Sequence, residues 1–142
     1  MASIYIQRGA KWVITNQDEF TIQFGYRVPG NGITVAAIEN SLKKPGSDGL
    51  ICEKIVVGKP DATIIDLICG QHDLTATDRS KMIMFGDRPN TDIALAHNAG
   101  IDSCLVLTGV ARSLEDAAEW SSKDPLFKPT YIMQSFGDKL EA

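Results

Sequence analysis

The chain is predicted to fold as an α/β protein on a mostly parallel sheet with helices on both faces, and three observations lead there. From about residue 50 onward, short runs that are apolar throughout alternate with segments of helical periodicity. Wholly apolar runs fit strands covered on both faces, and the alternation is that of right-handed βαβ crossovers. The third observation is positional. Gly58-Lys59-Pro60 and Gly86-Asp87-Arg88-Pro89-Asn90-Thr91-Asp92 each stand where an apolar run gives way to a helix signal. In an open α/β sheet that is where ligands bind, beyond the carboxyl ends of strands and against the unpaired N–H groups of helix N-termini.

The elements are taken in chain order. Residues 2–10 fit a short helix ending at Gly9, and Trp12-Val13-Ile14-Thr15 a buried strand that stops at Asn16. A polar and aromatic loop is expected from Asn16 to Gly32, then a helix on the spacing of Val35, Ile38 and Leu42, halted by Lys43, Lys44, Pro45 and Gly46. Pro45 to Gly49 is the candidate linker, because turn-forming residues cluster there between periodic segments. It divides the chain into residues 1–48 and 49–142. Beyond it come a strand at Ile55-Val56-Val57 and a helix from Pro60 to about Gln71, whose Ile64, Ile65, Leu67 and Ile68 form one face. A strand at Met82 to Phe85 leads to a helix from Asn90 to Ala99 with Gly100 as its terminating glycine. A strand at Cys104 to Leu107, a helix near Ser113 to Trp120, a strand at Tyr131-Ile132 and a last helix complete the pattern.

Composition narrows the function classes. The 142 residues carry a net charge of −4 without a run of like charges, so neither a nucleic-acid footprint nor a basic membrane-binding helix is expected. No apolar stretch approaches the roughly 20 residues that span a bilayer, and the N-terminal residues lack the pattern of a signal peptide. Cys52, Cys69 and Cys104 are odd in number and free of Cys-x-x-Cys spacing, which argues against a disulfide framework or a zinc site and for a reducing, cytoplasmic setting.

The motifs carry the chemistry. Asp87 follows a strand directly, so its carboxylate suits a hard cation that prefers oxygen ligands; the plainer alternative is a turn residue after Gly86. Asp92 falls in the first helical turn, where it can accept N–H groups, orient a metal-bound water, pair with Lys59, or simply favour the helix dipole. Lys59 stands between strand and helix, where an ammonium can neutralise a phosphoryl group; alone it would be a solvated turn lysine. Arg88 is open to a substrate anion or to solvent. His72 and His97, 25 residues apart, are assigned packing or surface roles.

Taken in order, Val57-Gly58-Lys59-Pro60, Phe85-Gly86-Asp87-Arg88-x-x-Thr91-Asp92-Ile93, Gly100-Ile101 and Leu105-Val106-Leu107-Thr108-Gly109-Val110 resemble the later motifs of the haloacid dehalogenase superfamily. The resemblance is to its branch of 4-nitrophenylphosphatases, phosphoglycolate phosphatases and pyridoxal phosphate phosphatases. Upstream, Gly9 to Asn16 with Asp18, and Pro29-Gly30-x-Gly32, are similar to the second half of that branch's cap domain. The resemblance implies a partial Rossmann-like core at 49–142, preceded by part of an α/β cap at 1–48. It further implies Mg²⁺-dependent hydrolysis of a small phosphorylated metabolite through an aspartyl-phosphate. Lys59 would neutralise the phosphate, Asp87 would ligate magnesium and Asp92 would support it, with Asn16, Asp18 and Arg88 as candidate substrate contacts.

The family's opening strand with its Asp-x-Asp pair, which supplies the nucleophile, has no counterpart among these residues. The chain alone is therefore expected to turn over negligibly, and the Met82-to-Phe85 strand to present an open edge. That edge would seek self-association or a separately supplied N-terminal half. Two other functions compete: a non-catalytic phosphate and cation binder, and a phosphoacceptor receiver, whose acids come early and lysine late, the reverse of the order here.

Overall fold

The computed structural model describes residues 1–137 and divides into two compact units, one from Met1 to Gly58 and one from Lys59 onward. In the first, α1 (Ala2–Gln7) leads to β1 (Trp12–Ile14), and β2 (Phe20–Gln23) forms an antiparallel hairpin with β3 (Tyr26–Pro29). Helix α2 (Asn31–Ser41) then returns the chain to β4 (Lys54–Val56), which pairs parallel with β1, Trp12 opposite Lys54 and Ile14 opposite Val56. The core is Ile6, Trp12, Ile14, Val35 and Leu42, so the three helix positions read from spacing all point inward or against that core, with Ile38 packed at its margin.

Two expectations are corrected here. The segment from Asn16 to Gly32 is not an open loop but holds the β2–β3 hairpin, its tip at Phe24 and Gly25, both at positive φ. Arg27 lies 4.3 Å from the Phe20 ring centroid across the hairpin, a cation–π contact that fastens its two strands. The Pro45-to-Gly49 stretch is a closed turn rather than a free connection. The Lys44 N–H donates to the Gly49 carbonyl at 2.7 Å, and Lys43 bridges Leu50.

The second unit contains α3 (Thr63–Gln71), α4 (Ala76–Arg79), β5 (Ile83–Gly86), a π-helical turn (Pro89–Ile93) running into α5 (Ala94–Ala99), and β6 (Asp102–Val106). Helix α6 (Leu114–Lys123), a 3₁₀ turn (Pro125–Phe127) and β7 (Tyr131–Met133) come next. The sheet is parallel in the order β5-β6-β7, as the βαβ alternation predicts. Pro60 precedes α3 rather than opening it. Asp61 accepts the Thr63 N–H at 2.8 Å, and this side-chain turn delays helical geometry to Thr63. Gly100 ends α5 at φ 66°, the left-handed geometry that a terminating glycine supplies without a Cβ penalty. Helix α4 was not anticipated, although Thr75 and Asp78 carry a capping-box pattern and bond reciprocally. Residues 134–137 after β7 are not helical, and the rest of the last expected helix lies outside the described residues.

Two apolar clusters fill the unit: Ile93, Leu105, Leu107, Ala111 and Ala117 on one side, Ile65, Cys69, Leu95 and Ala99 on another. Among the described residues β5 has a neighbour on one side only. Ile83 and Phe85 remain 41% and 38% exposed, and an open apolar groove of about 310 Å³ runs over Ile83, Phe85, Cys104, Tyr131 and Ile132. Phe136 lies edge-on to Phe85 at 5.0 Å between ring centroids. Among the described residues no helix is long and apolar enough to cross a membrane.

Candidate active site

Strand β5 ends at Gly86, and the chain turns directly into Asp87, Arg88 and the π-helical turn. The turn buries Asp92 to 3% exposure and points its carboxylate back at the strand end. Asp92 Oδ2 accepts the backbone N–H groups of Asp87 at 3.2 Å and Arg88 at 3.1 Å. Its other oxygen, Oδ1, accepts from Lys59 Nζ at 2.6 Å. One buried carboxylate therefore fixes both the loop after β5 and an ammonium 33 residues upstream in sequence. A buried carboxylate requires such partners, since an unpaired charge of this kind would be strongly disfavoured.

Gly86 is required by this packing. A Cβ there would overlap the Asp92 carboxylate, so no larger residue fits between strand and acid. The same holds at Gly109, in the turn after β6, where a Cβ would overlap the carboxylate of Asp87. That turn reaches Asp87 from the other side. The Val110 N–H donates to Asp87 Oδ2 at 2.7 Å, and the Ala111 N–H to the Asp87 carbonyl at 3.1 Å. Asp87 Oδ1 accepts no hydrogen bond from the described residues.

Lys59, Asp87 and Asp92 thus come together in one unit, with the Arg88 backbone tied into the same network. Asn16 and Asp18 come together elsewhere, in the first unit. Asn16 Oδ1 accepts the Asp18 N–H at 2.7 Å, and its amide donates to Asp18 Oδ2 at 3.3 Å. Asn31 also donates to the Asn16 carbonyl at 2.9 Å, joining the start of α2 to this turn. Beside Lys59, Asp61 is held below the usual carboxylate range by the hydroxyl and N–H of Thr63, which suits it to opening α3. Gly109 and Val110 were visible in the sequence as the end of the Leu105-to-Val110 motif, without a role assigned to either. Nothing in that pattern says that a backbone N–H there reaches a strand-end acid 23 residues earlier.

A hard dication fits the chemistry of these donors. Asp87 offers an oxygen that accepts no hydrogen bond from the described residues, Asp92 holds a lysine able to meet an anion, and Mg²⁺ is commonly held by one or two carboxylates with water and phosphate completing its shell. No cluster of three or more His, Cys, Asp or Glu occurs among the described residues, so they form no self-sufficient metal cage.

Comparison with known proteins identifies the family. A family model described as HAD-hydrolase-like matches residues 56–139. The glycerol-3-phosphate phosphatase of Gallus gallus is 31% identical over 144 residues, covering 97% of this chain and 43% of the relative. The glycerol phosphate phosphatase of Mycobacterium tuberculosis, solved in complex with magnesium, superposes with a TM-score of 0.70 at 32% identity, over 94% of this chain and 36% of that one. The same enzyme has been solved with calcium. A p-nitrophenyl phosphatase from Archaeoglobus fulgidus gives a TM-score of 0.73 at 27% identity, over 94% and 47% of the two chains. The chain spans less than half the length of each of these relatives. With more than half its residues matched by the family model, and with relatives above 30% identical over nearly its whole length, the chain belongs to the haloacid dehalogenase superfamily, in its 4-nitrophenylphosphatase and phosphoglycolate phosphatase branch.

Proposed function

We propose that Lys59, Asp87 and Asp92 form the phosphate- and cation-binding part of a Mg²⁺-dependent phosphomonoester hydrolase acting on a small phosphorylated metabolite. The observation that carries this reading is the 2.6 Å Lys59–Asp92 contact, made by the acid that also anchors the N–H of Asp87. Lys59 keeps 44% of its side chain exposed, so its ammonium can meet a phosphoryl oxygen while Asp92 holds its position. Asp87 supplies to the cation its Oδ1, which accepts no hydrogen bond from the described residues. Bound Mg²⁺ would neutralise charge on the phosphoryl oxygens and orient the group for in-line attack. Arg88 is assigned to a contact with the remainder of the substrate.

An aspartyl-phosphate needs a carboxylate oxygen with no other commitment aimed at phosphorus. Asp92 has both oxygens engaged, and Asp87 is given to the cation. The nucleophile therefore comes from outside this set, and these 142 residues alone bind phosphate without turning it over. The bare edge of β5 supports a partner strand from a second copy or another polypeptide. Three free thiols among the described residues accord with a cytoplasmic setting.

Titration of the purified chain with inorganic phosphate, with and without Mg²⁺, tests the site. Mg²⁺ should tighten phosphate binding, and Lys59→Met and Asp87→Asn should each abolish that gain. Binding indifferent to Lys59→Met would overturn the assignment of the pocket. Mg²⁺-dependent release of 4-nitrophenolate by the pure chain, lost in Asp87→Asn, would overturn the assignment of the nucleophile to another source.

A further inference from the structure

We infer that Asn98, near the end of α5, is a positioning residue for Lys59: its side-chain amide holds the Lys59-Pro60 backbone so that the ammonium is presented to the substrate phosphate. The inference rests on Lys59 meeting that phosphate, as proposed above. Its basis is the 2.8 Å hydrogen bond from Asn98 Nδ2 to the Pro60 carbonyl, which joins positions 38 residues apart.

Lys59 is gripped at two places by one helical run. At its tip, Nζ donates to Asp92 Oδ1 at 2.6 Å; at its base, the carbonyl of the next residue accepts from Asn98. Asp92 lies in the π-helical turn that runs into α5, and Asn98 follows it by roughly 9 Å along the helix axis. Proline has no N–H, so its carbonyl is the only backbone group through which Pro60 can be hydrogen-bonded. The Asp92 contact alone would pin a long side chain at its end, leaving the backbone beneath it to shift while the flexible stem bends in compensation.

The place from which Asn98 acts is fixed. Its neighbours Leu95 and Ala99 are 1% and 3% exposed and pack α5 against Ile65 and Cys69 of α3. Arg79 Nη1 donates to the Ala99 carbonyl at 2.9 Å and Nη2 to Asp66 Oδ1 at 2.6 Å, tying the end of α5 to α3 through α4. Asn98 itself is exposed, so its contribution is the hydrogen bond rather than burial. Holding a lysine in advance removes the ordering cost that a mobile side chain incurs on binding, a factor of about 3 to 10 in affinity. Asn98 touches neither phosphate nor cation in this scheme; it acts through Lys59.

The test uses the full chain in Mg²⁺ with inorganic phosphate as the probe, its affinity read by calorimetry and the Lys59 ammonium followed by ¹⁵N NMR. Asn98→Ala should weaken phosphate binding about 3- to 10-fold and hasten hydrogen exchange at the Lys59 ammonium. Asn98→Gln, which keeps the donor on a longer arm, should recover part of both. An unchanged affinity and Lys59 signal in Asn98→Ala, with only the urea midpoint lowered, would make the contact merely structural and overturn the inference, leaving the phosphate reading in place. In the native chain one Asn98 side-chain amide proton should be protected from exchange, with and without phosphate. Exchange at the rate of an unbonded asparagine would sink the inference even where Asn98→Ala does not fold. Phosphate affinity indifferent to Lys59→Met would remove the reading of Lys59 and this inference with it.

Discussion

Replacing Asp92 by alanine and by asparagine separates its two duties, anchoring backbone and pairing with Lys59. Alanine leaves the N–H groups of Asp87 and Arg88 without their acceptor. Each stranded, partly buried donor costs about 1 kcal/mol, at the low end of the usual range because both residues keep some solvent contact. Loss of the ion pair adds little, about 0.5 kcal/mol, because Lys59 is 44% exposed and regains water readily. The total for Asp92→Ala is about 2.5 kcal/mol. Asparagine keeps an acceptor oxygen and loses only the charge, so about 1 kcal/mol is expected. With a urea slope of about 1.5 kcal/mol/M, the midpoints should fall by about 1.7 and 0.7 M. Trp12 belongs to the first unit and Trp120 to the second, so a Trp12→Phe background leaves Trp120, packed edge-on to Phe127 at 5.9 Å, as the reporter for the unit that matters. Equal midpoints for the two variants would refute the anchoring of the two N–H groups. In a double-mutant cycle, Lys59→Met and Asp92→Asn should couple by about 0.5–1 kcal/mol, and strict additivity would refute the pairing.

Gly86→Ala should destabilise by about 1–3 kcal/mol, since the new Cβ meets the Asp92 carboxylate; Gly70→Ala, in α3 with open space around it, should instead stabilise by about 0.5–1 kcal/mol, and urea midpoints of the pair test whether packing decides the sign. Phe85→Lys on the bare edge of β5 should suppress concentration-dependent association in sedimentation velocity; a native chain that stays monomeric at high concentration would count against an edge that recruits a strand. Asp78 is held below its ordinary value of 3.8 by the Thr75 N–H and then its hydroxyl, so its contribution is complete above about pH 4 and is lost as pH falls through the lowered value. Asp78→Asn should accordingly flatten the acid side of a melting-temperature profile as pH falls below about 4.

Strands β5 and β6 were legible because each is an apolar run bounded by turn chemistry, and the end of α5 because Gly100 follows the last periodic residue. Lys59, Asp87 and Asp92 were legible as a set because their motifs each stand where an apolar run gives way to a helix signal and come in the family's order, although β4, which precedes Lys59, pairs with β1 and not with β5. The hairpin was hidden for a local reason. Phe20 to Gln23 and Tyr26 to Pro29 do alternate, but they flank Phe24-Gly25, and phenylalanine at φ 52° is a poor advertisement for a turn that usually takes Asn or Gly. The start of α3 was misplaced because proline's fit to a first turn was weighed without Asp61, whose side chain delays the helix. That β4 joins β1 is a tertiary choice: an apolar run of three states no preference between possible neighbours. The Val110 contact was invisible because it is made by backbone, and every residue but proline offers the same group.

The widened turn between Pro89 and Ile93 makes the number of residues between Asp87 and Asp92 matter more than their identity. Each residue inserted into or deleted from a helical segment swings the remainder of that helix by roughly 100° about its axis, enough to carry Asp92 from the strand end to the far side. Substitutions of similar size at the intervening positions can therefore accumulate over evolutionary time, whereas a change of length by even one codon disconnects the acid from Lys59.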